Sequence, residues 1–343
     1  MKALELIAHG KLEYKDVPIP AYGENEVLIR VKACAICGSD VHGYDGSSGR
    51  RIPPLIMGHE AAGVIQEAGS GVNGFGPGDR VTFDSTLYCG ACGYCRSGRV
   101  NLCENRRVFG VSCGDYRQHG AMAEYVAVPD YLLYRLSESI SFEEAAAVEP
   151  LTIALHAVNR TSLQIGDDVC VIGAGTIGQL IIKVLSIEGC GSITALDIDP
   201  EKLKLAMTNG ASSVVCKTGE EAVASLLEAT GGRGMDVAFE AVGISGTVST
   251  ALQSVKKGGE VTLVGNVSAK VDFELQHAVT REIRLNGSCA SSGEYALCLK
   301  LLEQNMLSLK DIISRSVPLS EGAEWFGRLH RGEKGLIKVI LTP

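Results

Sequence analysis

Four of the twelve cysteines in this 343-residue sequence fall in one glycine-rich stretch. Cys89, Cys92, Cys95 and Cys103 have the spacing C-x2-C-x2-C-x7-C within CGACGYCRSGRVNLC. Four thiolates in one loop match the closed tetrahedral site of a structural zinc ion. An iron–sulfur cluster also takes four cysteines, but the C-P ending typical of bacterial ferredoxins is absent. The spacing therefore predicts a bound metal with no open position for chemistry.

A second set of metal-binding residue types lies nearer the start of the chain. Cys37, His59 and Glu60 offer one sulfur, one nitrogen and one oxygen, and a further carboxylate, Glu149, follows much later. Three protein ligands plus water are typical of catalytic zinc. Cys34 and Cys37 also form C-x-x-C, but the thioredoxin-like βαβ context of a redox pair is absent. We therefore expect a reactive metal site here.

A glycine motif indicates a dinucleotide-binding site. The apolar run 169–172 leads into GAGTIG, with glycines at Gly173, Gly175 and Gly178, and a helical pattern follows. This context predicts a pyrophosphate bound at a helix N-terminus. Asp197, at the end of the next predicted strand, is expected to accept the ribose hydroxyls and to repel a 2′-phosphate, which favours NAD over NADP. The other predicted cofactor contacts are Thr176, Ile177, Val242, Val264 and Gly265.

The predicted secondary structure divides the chain into two regions of different type. Residues 1–145 contain short strands bounded by turn residues, as in a mostly β domain. Ser141 precedes a predicted helix as its N-cap. From 167 onward strands and helices alternate, which predicts a doubly wound parallel sheet. The strands expected there are 168–172, 192–198, 213–216, 236–241, 260–264 and 283–287, and the helices are 177–188, 200–209, 220–230 and 247–256.

Composition narrows the class of protein. The net charge of −8 argues against a nucleic-acid partner or an anionic membrane surface. No apolar run approaches the roughly 20 residues that span a bilayer, and the first residues lack the apolar core of a signal peptide. We therefore expect a cytoplasmic protein. The predicted organisation is a catalytic domain at 1–150, a nucleotide domain at 151–286 and a return to the first domain at 287–343.

Together these motifs resemble the zinc-containing medium-chain dehydrogenase/reductase family over essentially the whole chain. They are CGSDVH at 37–42, GHE at 58–60, the four cysteines at 89–103, GAGTIG at 173–178 and Asp197. The resemblance implies an α/β protein with a GroES-like mostly β catalytic domain and a Rossmann nucleotide domain. Glu149-Pro150-Leu151 is similar to a segment of the polyol dehydrogenase branch, where simple alcohol dehydrogenases place a cysteine ligand instead.

The resemblance also implies roles for individual residues. Cys37, His59 and Glu60 would bind the catalytic zinc, with Glu149 bound directly or through water. Asp40 would orient His59, because metal-bound histidines usually have such a partner. Ser39 would receive the substrate proton and His42 would pass it to solvent, while Lys202 would join Asp197 at the adenosine ribose. Two zinc ions per chain and NAD are the implied cofactors.

The implied activity is reversible oxidation of a secondary alcohol of a polyol to the ketose. Two alternatives stay open: oxidation of a hydroxy amino acid, as by a threonine 3-dehydrogenase, and a nucleotide-binding relic without turnover. The segment 287–295 lacks the Arg–Tyr pair of sorbitol dehydrogenases, which leaves the particular polyol open. Arg50-Arg51 and Arg106-Arg107 are candidates for binding a substrate phosphate. A homodimer or homotetramer, paired through the strand 260–264 or 283–287, is also implied.

Overall fold

The computed structural model describes residues 1–343. The chain divides into two compact units. Unit 1 comprises Met1–Glu149 and Ser292–Pro343, and unit 2 comprises Pro150–Ser291. Neither unit contains a helix that combines the length and the apolar composition needed to cross a bilayer.

Twenty strands and eleven α-helices make up the two units. The strands are β1 Lys2–Ala8, β2 Lys11–Asp16, β3 Glu26–Ala35, β4 Leu55–Ile56, β5 Glu60–Ala68, β6 Arg80–Phe83, β7 Thr86–Leu87, β8 Arg107–Val108, β9 Val111–Ser112, β10 Arg117–Gln118, β11 Tyr125–Pro129, β12 Leu133–Arg135, β13 Asp168–Ile172, β14 Ser192–Leu196, β15 Ser213–Val215, β16 Met235–Glu240, β17 Val255–Leu263, β18 Arg284–Gly287, β19 Ile313–Pro318 and β20 Lys338–Thr342. The α-helices are α1 Gly38–Tyr44, α2 Gly93–Arg96, α3 Phe142–Ala146, α4 Val148–Asn159, α5 Thr176–Glu188, α6 Pro200–Thr208, α7 Gly219–Ala229, α8 Ser245–Ser254, α9 Leu275–Thr280, α10 Tyr295–Glu303 and α11 Gly322–His330. Short 3-10 turns occupy Val100–Leu102, Asp130–Leu132, Lys310–Ile312 and Leu319–Glu321.

Strand β3 is the centre of unit 1. It pairs with β5 on one side and with β20 on the other, within the sheet order β12-β6-β5-β3-β20-β19. In this register Ala35 of β3 lies opposite Glu60 of β5 and opposite Ile340 of β20. Because side chains alternate along a strand, Lys338, two residues before Ile340, points to the same face as Glu60. The sheet thus brings the start of β5 and the start of β20 together.

Unit 2 is a single parallel sheet with the strand order β15-β14-β13-β16-β17-β18. The order reverses between β13 and β16, and ligands of such sheets bind at the carboxyl ends of the strands beside that point. The glycine motif follows β13, Asp197 follows β14 and Val242 follows β16. The alternation of strands and helices expected from the sequence is therefore present.

Several element boundaries differ from the expectation, and two of them have a clear physical cause. The helix expected to reach residue 256 ends at Ser254, because Val255 is buried as the first residue of β17 opposite Met235. Strand β14 ends at Leu196, because the Asp197 side chain turns back to bind backbone N–H groups. The predicted N-cap is correct, since the Ser141 hydroxyl accepts the Glu144 N–H at 3.2 Å.

Only one of the two strands proposed for pairing between subunits has a free edge. The strand at 260–264 belongs to β17, which pairs with β16 and β18 and so lies inside the sheet. That candidate is wrong, because both of its hydrogen-bonding edges are occupied. Strand β18 is the last in the sheet, and pairing of subunits through it stays a prediction.

Candidate metal and dinucleotide sites

Cys37, His59 and Glu60 form one compact group in unit 1. The candidate donor atoms, one from each side chain, lie within 4.8 Å of one another. Cys37 is the N-cap of α1, His59 directly precedes β5 and Glu60 opens that strand, so the starts of two elements supply all three donors. Sulfur, nitrogen and oxygen donors at this spacing suit a zinc ion that keeps a position open.

The Glu60 carboxylate is held by a lysine that the sequence analysis did not single out. Lys338 Nζ donates to Oε1 at 2.9 Å and to Oε2 at 2.7 Å, and both residues are buried. Burial disfavours the ammonium charge, but Glu60 and Cys37 outweigh this and raise the pKa of Lys338. Each carboxylate oxygen retains a second lone pair, so Glu60 remains able to bind a cation. Only the strand register reveals this pair, because the two residues are far apart in sequence.

Two buried polar atoms beside His59 lack hydrogen-bond partners. His59 Nδ1 lies 3.6 Å from Asp40 Oδ1, and neither His59 Nδ1 nor Asp40 Oδ2 makes a hydrogen bond. A histidine that ligates a metal through Nε2 donates Nδ1–H to a carboxylate. The arrangement therefore fits a metal bound by His59 Nε2, at the edge of the ring away from Asp40, with Asp40 as the orienting partner of His59.

Glu149 lies at the margin of this group. Ser85 Oγ donates to its Oε1 at 3.1 Å, and the carboxylate is not among the three clustered donors. Loss of water raises the pKa of Glu149 to about 8; among its neighbours His59 lowers this pKa, while Glu60 and Cys37 raise it. A nearby cation would stabilise the ionised form. Ser85 escaped the sequence analysis, and a lone serine carries no signal that would have revealed it.

The four cysteines of the loop 89–103 also come together. Their sulfur atoms lie within 4.8 Å of one another, and Cys92 Sγ donates to Cys95 Sγ at 3.5 Å. Backbone N–H groups of Ala91 and Cys92 lower the pKa of Cys89 to about 6. In contrast, loss of water and the neighbouring Cys92 and Cys103 thiols raise the pKa of Cys95 to about 12. Four sulfurs so close cannot all ionise without a cation, so the donor set fits a structural zinc ion.

Helix α1 carries the residues expected to move a proton. Ser39 is exposed at its first turn, and its hydroxyl donates to Cys37 Sγ at 3.2 Å. His42 is exposed in the last turn, and its backbone carbonyl accepts the Ser47 hydroxyl at 2.7 Å. The two residues are three positions apart and therefore lie on one face of the helix.

The arginine pairs differ in their availability to a substrate. The Arg51 side chain is buried, and its Nε and Nη2 donate to Asp40 Oδ1 at 3.0 and 2.8 Å. Arg106 Nη1 donates to the Asn101 carbonyl at 2.7 Å, whereas Arg50 and Arg107 are exposed. Arg51 is thus an internal partner of a carboxylate, and phosphate binding by the Arg50-Arg51 pair would rest on Arg50 alone.

Close contacts require glycine at two positions of the motif in unit 2. Gly173 has φ +95°, and a Cβ there would lie 2.5 Å from Val242 Cγ2. A Cβ on Gly178 would lie 1.8 Å from the Gly173 carbonyl oxygen, so only glycine allows this helix to start so close to the loop. A Cβ on Gly175, by contrast, would meet open space. Thr176 and Ile177 open α5 there, with their N–H groups at the start of a helix where an anion binds well.

Asp197 is tied to that loop. Its Oδ2 accepts the Ala174 N–H at 2.7 Å and its Oδ1 accepts the Asp199 N–H at 2.9 Å. The buried Gln179 side chain donates from Nε2 to the carbonyls of Ala174 and Lys202 at 3.0 and 2.8 Å. Lys202 therefore joins this hydrogen-bond network through its backbone carbonyl, which accepts from Gln179. Gln179 was missed by the sequence analysis, although a glutamine inside the apolar face of a predicted helix is a usable signal.

The remaining predicted cofactor residues lie after β16 and β17. Glu240 Oε1 accepts the N–H groups of Val242 and Gly243 at 2.9 and 2.8 Å. The Val264 and Gly265 N–H groups in turn bond to the Glu240 carbonyl at 2.8 and 2.9 Å. A Cβ on Gly265 would lie 2.2 Å from the Gly243 nitrogen. Two loops are thus packed together at the carboxyl edge of the sheet.

A cavity of about 580 Å³ opens beyond the ends of β14 and β15, next to Asp197. Its lining residues are Ile198, Cys216, Lys217, Thr218, Glu220 and Glu221. Ile198 is 74% exposed, which is unusual for a large apolar side chain next to a polar one. None of these residues was predicted. An apolar residue directly after the carboxylate that is predicted to bind the ribose is the signal that would have indicated them.

Unit 1 contains a smaller polar cavity of about 150 Å³. Asp84 lines it together with Tyr88, Tyr131 and Tyr134, and no arginine or lysine is among its lining residues. Burial raises the pKa of Asp84 to about 6, although the Thr86 N–H at 2.8 Å opposes this, and the Glu294 charge adds to it. Tyr295, stacked on Tyr134 with ring centroids 4.8 Å apart, has a buried hydroxyl with no partner.

Comparison with known proteins agrees with the fold. The model described as the GroES-like domain of alcohol dehydrogenases matches residues 23–138, and that described as zinc-binding dehydrogenase matches residues 176–304. A relative is the sorbitol dehydrogenase of Bacillus subtilis (strain 168), which is 30% identical over 100% of this chain and 97% of its own. The solved galactitol-1-phosphate dehydrogenase of Escherichia coli superposes with a TM-score of 0.90 at 28% identity, over the whole of both chains.

A second similar structure is a zinc-binding dehydrogenase from Sinorhizobium meliloti 1021 with bound NADP. It has a TM-score of 0.90 and 30% identity, and covers 100% of this chain and 99% of its own. The two donor clusters of unit 1 and the parallel sheet of unit 2 define a metal-binding oxidoreductase. More particularly, the chain belongs to the zinc-binding dehydrogenase family. The family and fold class predicted from the motifs are therefore confirmed.

Proposed function

We propose that this protein is a zinc-dependent, NAD-linked dehydrogenase that reversibly oxidises a secondary alcohol of a polyol to the ketose. The observation that carries this proposal is the group of Cys37, His59 and Glu60, whose donor atoms meet within 4.8 Å. Relatives that act on sorbitol and on galactitol 1-phosphate support the substrate class. A nucleotide-binding relic would not need this second donor set beside the four cysteines.

Cys37, His59 and Glu60 would hold the catalytic ion, with Glu149 as a further or water-mediated ligand. Cys89, Cys92, Cys95 and Cys103 would hold a structural ion. When bound, a catalytic zinc ion lowers the pKa of an alcohol oxygen and polarises a carbonyl. Asp40 fixes the His59 ring, and Lys338 balances the charge of Glu60 in surroundings that exclude water.

The exposed Ser39 hydroxyl is the proposed first acceptor of the substrate proton. It lies in the first turn of α1, within hydrogen-bond distance of Cys37, so a substrate oxygen at the donor cluster would be within its reach. His42 is the proposed exit to solvent, because it is exposed on the same face of α1 as Ser39 and an imidazole can both accept and donate a proton. Both residues act as proton carriers and neither needs to bond to the reacting carbon.

The carboxyl edge of the unit 2 sheet is the proposed NAD site. The start of α5 would bind the pyrophosphate, and Asp197 would accept the ribose hydroxyls with the lone pairs that its backbone donors leave free. Ile198 and the cavity beside it suit the adenosine half. Lys202 as a ribose partner, and Val242, Val264 and Gly265 as contacts further along the same edge, stay predictions. Although the Sinorhizobium meliloti relative carries NADP, the Asp197 carboxylate favours NAD here.

The test is NAD reduction, followed by absorbance, across pentitols, hexitols, their phosphates and threonine, with and without a zinc chelator. We expect a chelator-sensitive signal on one group of polyols, with free and phosphorylated forms distinguished by the panel. A signal on threonine alone would replace the polyol with a hydroxy amino acid. If no compound in the panel reduced NAD while two zinc ions were bound per chain, the polyol substrate would be excluded.

A further inference from the structure

Arg51 is an internal cation beside the proposed catalytic metal site. Its side chain is 4% exposed and Asp40 is fully buried. Both Nε and Nη2 of the guanidinium donate to the same oxygen, Asp40 Oδ1, at 3.0 and 2.8 Å. That oxygen also lies 3.6 Å from His59 Nδ1. The guanidinium is thus separated from the proposed histidine ligand by one carboxylate oxygen.

The same guanidinium reaches the proposed proton acceptor. Arg51 Nη2 donates to Ser39 Oγ at 3.3 Å, and the Ser39 hydroxyl then points its proton at Cys37 Sγ, 3.2 Å away. A hydroxyl that accepts from Arg51 has one lone pair occupied, which restricts how its own proton can turn. Arg51 therefore contacts both the carboxylate that orients His59 and the hydroxyl that would accept the substrate proton.

The surrounding chain holds Arg51 in this place. A Cβ at Gly43 of α1 would lie 2.2 Å from Arg51 Cγ, so the arginine stem crosses the helix where no side chain exists. The Arg51 carbonyl accepts from His9 Nε2 at 3.1 Å, and Arg51 Nη1 donates to the Arg50 carbonyl at 3.0 Å. The guanidinium is thus fixed from several directions before any ligand arrives.

We propose that Arg51 is a positioning residue for the reaction, which aligns Asp40 with His59 and Ser39 with the substrate oxygen at the same time. The planar fork of a guanidinium can address two acceptors in fixed directions, whereas a lysine ammonium is a single point charge. This role rests on the proposed function. The positioning role replaces phosphate binding as the explanation for Arg51, the second arginine of the segment GRRIPP at 49–54.

Zinc affinity tests the link to Asp40 without any substrate. We would measure release of zinc from the Cys37, His59 and Glu60 site to a chromogenic chelator for the wild type, Arg51→Met, Arg51→Lys and Gly43→Ala, each in a Cys95→Ser background that lacks the structural ion. Loss of a residue that orients a metal ligand typically weakens metal binding 10–100-fold. We expect such a loss for Arg51→Met, a smaller one for Arg51→Lys, and weakening for Gly43→Ala, whose methyl would displace the arginine stem.

Arg135→Met is the matched control, because it removes an arginine–aspartate pair of the same unit at the surface, where Arg135 meets Asp79. It should leave zinc affinity unchanged. Wild-type affinity in Arg51→Met would overturn the link to Asp40. Equal weakening in Arg135→Met would also overturn it, because the effect would then follow general destabilisation.

Turnover of zinc-loaded variants tests the link to Ser39. Arg51→Lys should lower kcat by about 10-fold and leave the KM for NAD unchanged, because an ammonium lacks the fixed fork that directs Nη2 at Ser39 while Nε holds Asp40. In a Ser39→Ala background the same substitution should lower kcat by clearly less than about 10-fold, because only its contact with Asp40 is left to lose. Equal effects in both backgrounds would overturn the link.

The two proposals fail in different ways. If the wild type binds zinc at the Cys37 group but oxidises no polyol, the polyol assignment fails, while the affinity measurements still decide the role of Arg51. If it binds no zinc there, the proposed metal site itself is wrong, and the role of Arg51 falls with it.

Discussion

Lys338 Nζ lies 2.9 and 2.7 Å from the two carboxylate oxygens of Glu60, and each residue is at most 2% exposed. The pair joins β20, near the end of the chain, to the first residue of β5. Both side chains leave the sheet on one face because Ala35 of β3 lies opposite both Glu60 and Ile340. A proposed metal ligand, Glu60, is thus ion-paired with a lysine from a distant part of the sequence.

Lys338→Met should destabilise the zinc-free protein by about 3–5 kcal/mol, because it leaves the buried Glu60 carboxylate without its counter-charge. Urea unfolding measures this loss. The double variant Glu60→Gln/Lys338→Met should be more stable than Lys338→Met alone, since it removes both charges. A loss of less than about 1 kcal/mol in the single variant would show that the pair contributes little to the fold.

Metal analysis should find two zinc ions per wild-type chain and one in each of two variants. Cys95→Ser should lose the structural ion and unfold at a lower temperature, since four-cysteine sites contribute to folding. Cys37→Ser should lose the catalytic ion and its activity with a smaller change in unfolding temperature. Cys190→Ser, whose half-buried cysteine belongs to neither cluster, is the control and should keep both ions. One zinc ion in the wild type would contradict the second site.

Glu149→Gln should lower kcat by about 10–100-fold, because it removes a charge beside the proposed catalytic ion. NADH binding, followed by fluorescence, should change little, since Glu149 is bonded to Ser85 in unit 1. Glu143→Gln, which alters a half-buried glutamate of α3, is the matched control and should retain full turnover. Unchanged activity in Glu149→Gln would exclude Glu149 from the site.

Asp197→Ser should raise kcat/KM for NADP and lower it for NAD. The substitution removes repulsion of a 2′-phosphate, and it also removes the acceptor for the Ala174 N–H. Lys217 lines the neighbouring cavity and offers a cation for the phosphate. Adding Lys217→Met should therefore cancel part of the gain. If NADP remained unused while NAD binding was intact, Asp197 would not determine the choice of coenzyme.

Asp84→Asn should stabilise the protein at neutral pH. Burial raises the pKa of Asp84 from 3.8 to about 6, and Glu294 is the nearby charge that adds to this, while Tyr88, Tyr134 and Tyr295 are the other titratable groups around it. Since the folded state holds this proton more tightly than the unfolded state, the contribution of Asp84 to stability falls as the pH rises from about 4 through 6. The loss amounts to about 2–3 kcal/mol at pH 7.

The Asp84→Asn variant should lack this decrease, because an amide does not titrate, and its oxygen can still accept the Thr86 N–H. Urea unfolding between pH 4 and pH 8 measures the difference between the two proteins. Parallel curves for wild type and variant would mean that the Asp84 carboxyl is not forced towards its neutral form.

The sequence by itself determined the elements whose chemistry is local. The four cysteines, the strand–glycine–helix motif and Asp197 lie in short windows whose spacing restricts what they can bind. The alternation of strands and helices predicted the parallel sheet, because its periods are set by neighbouring residues. The N-cap at Ser141 is equally local, since a serine hydroxyl bonds an N–H three residues ahead.

Only the tertiary structure decided which distant side chains meet. Lys338 reaches Glu60 through the register of three strands, and Arg51 turns inward to Asp40 because Gly43 leaves space for its stem. From the sequence alone, Arg51 was predicted as a candidate for binding phosphate, and no role was assigned to Lys338. The physical reason is that a charged side chain takes its role from the partner it is buried against, and that partner is set by packing between elements far apart in the chain.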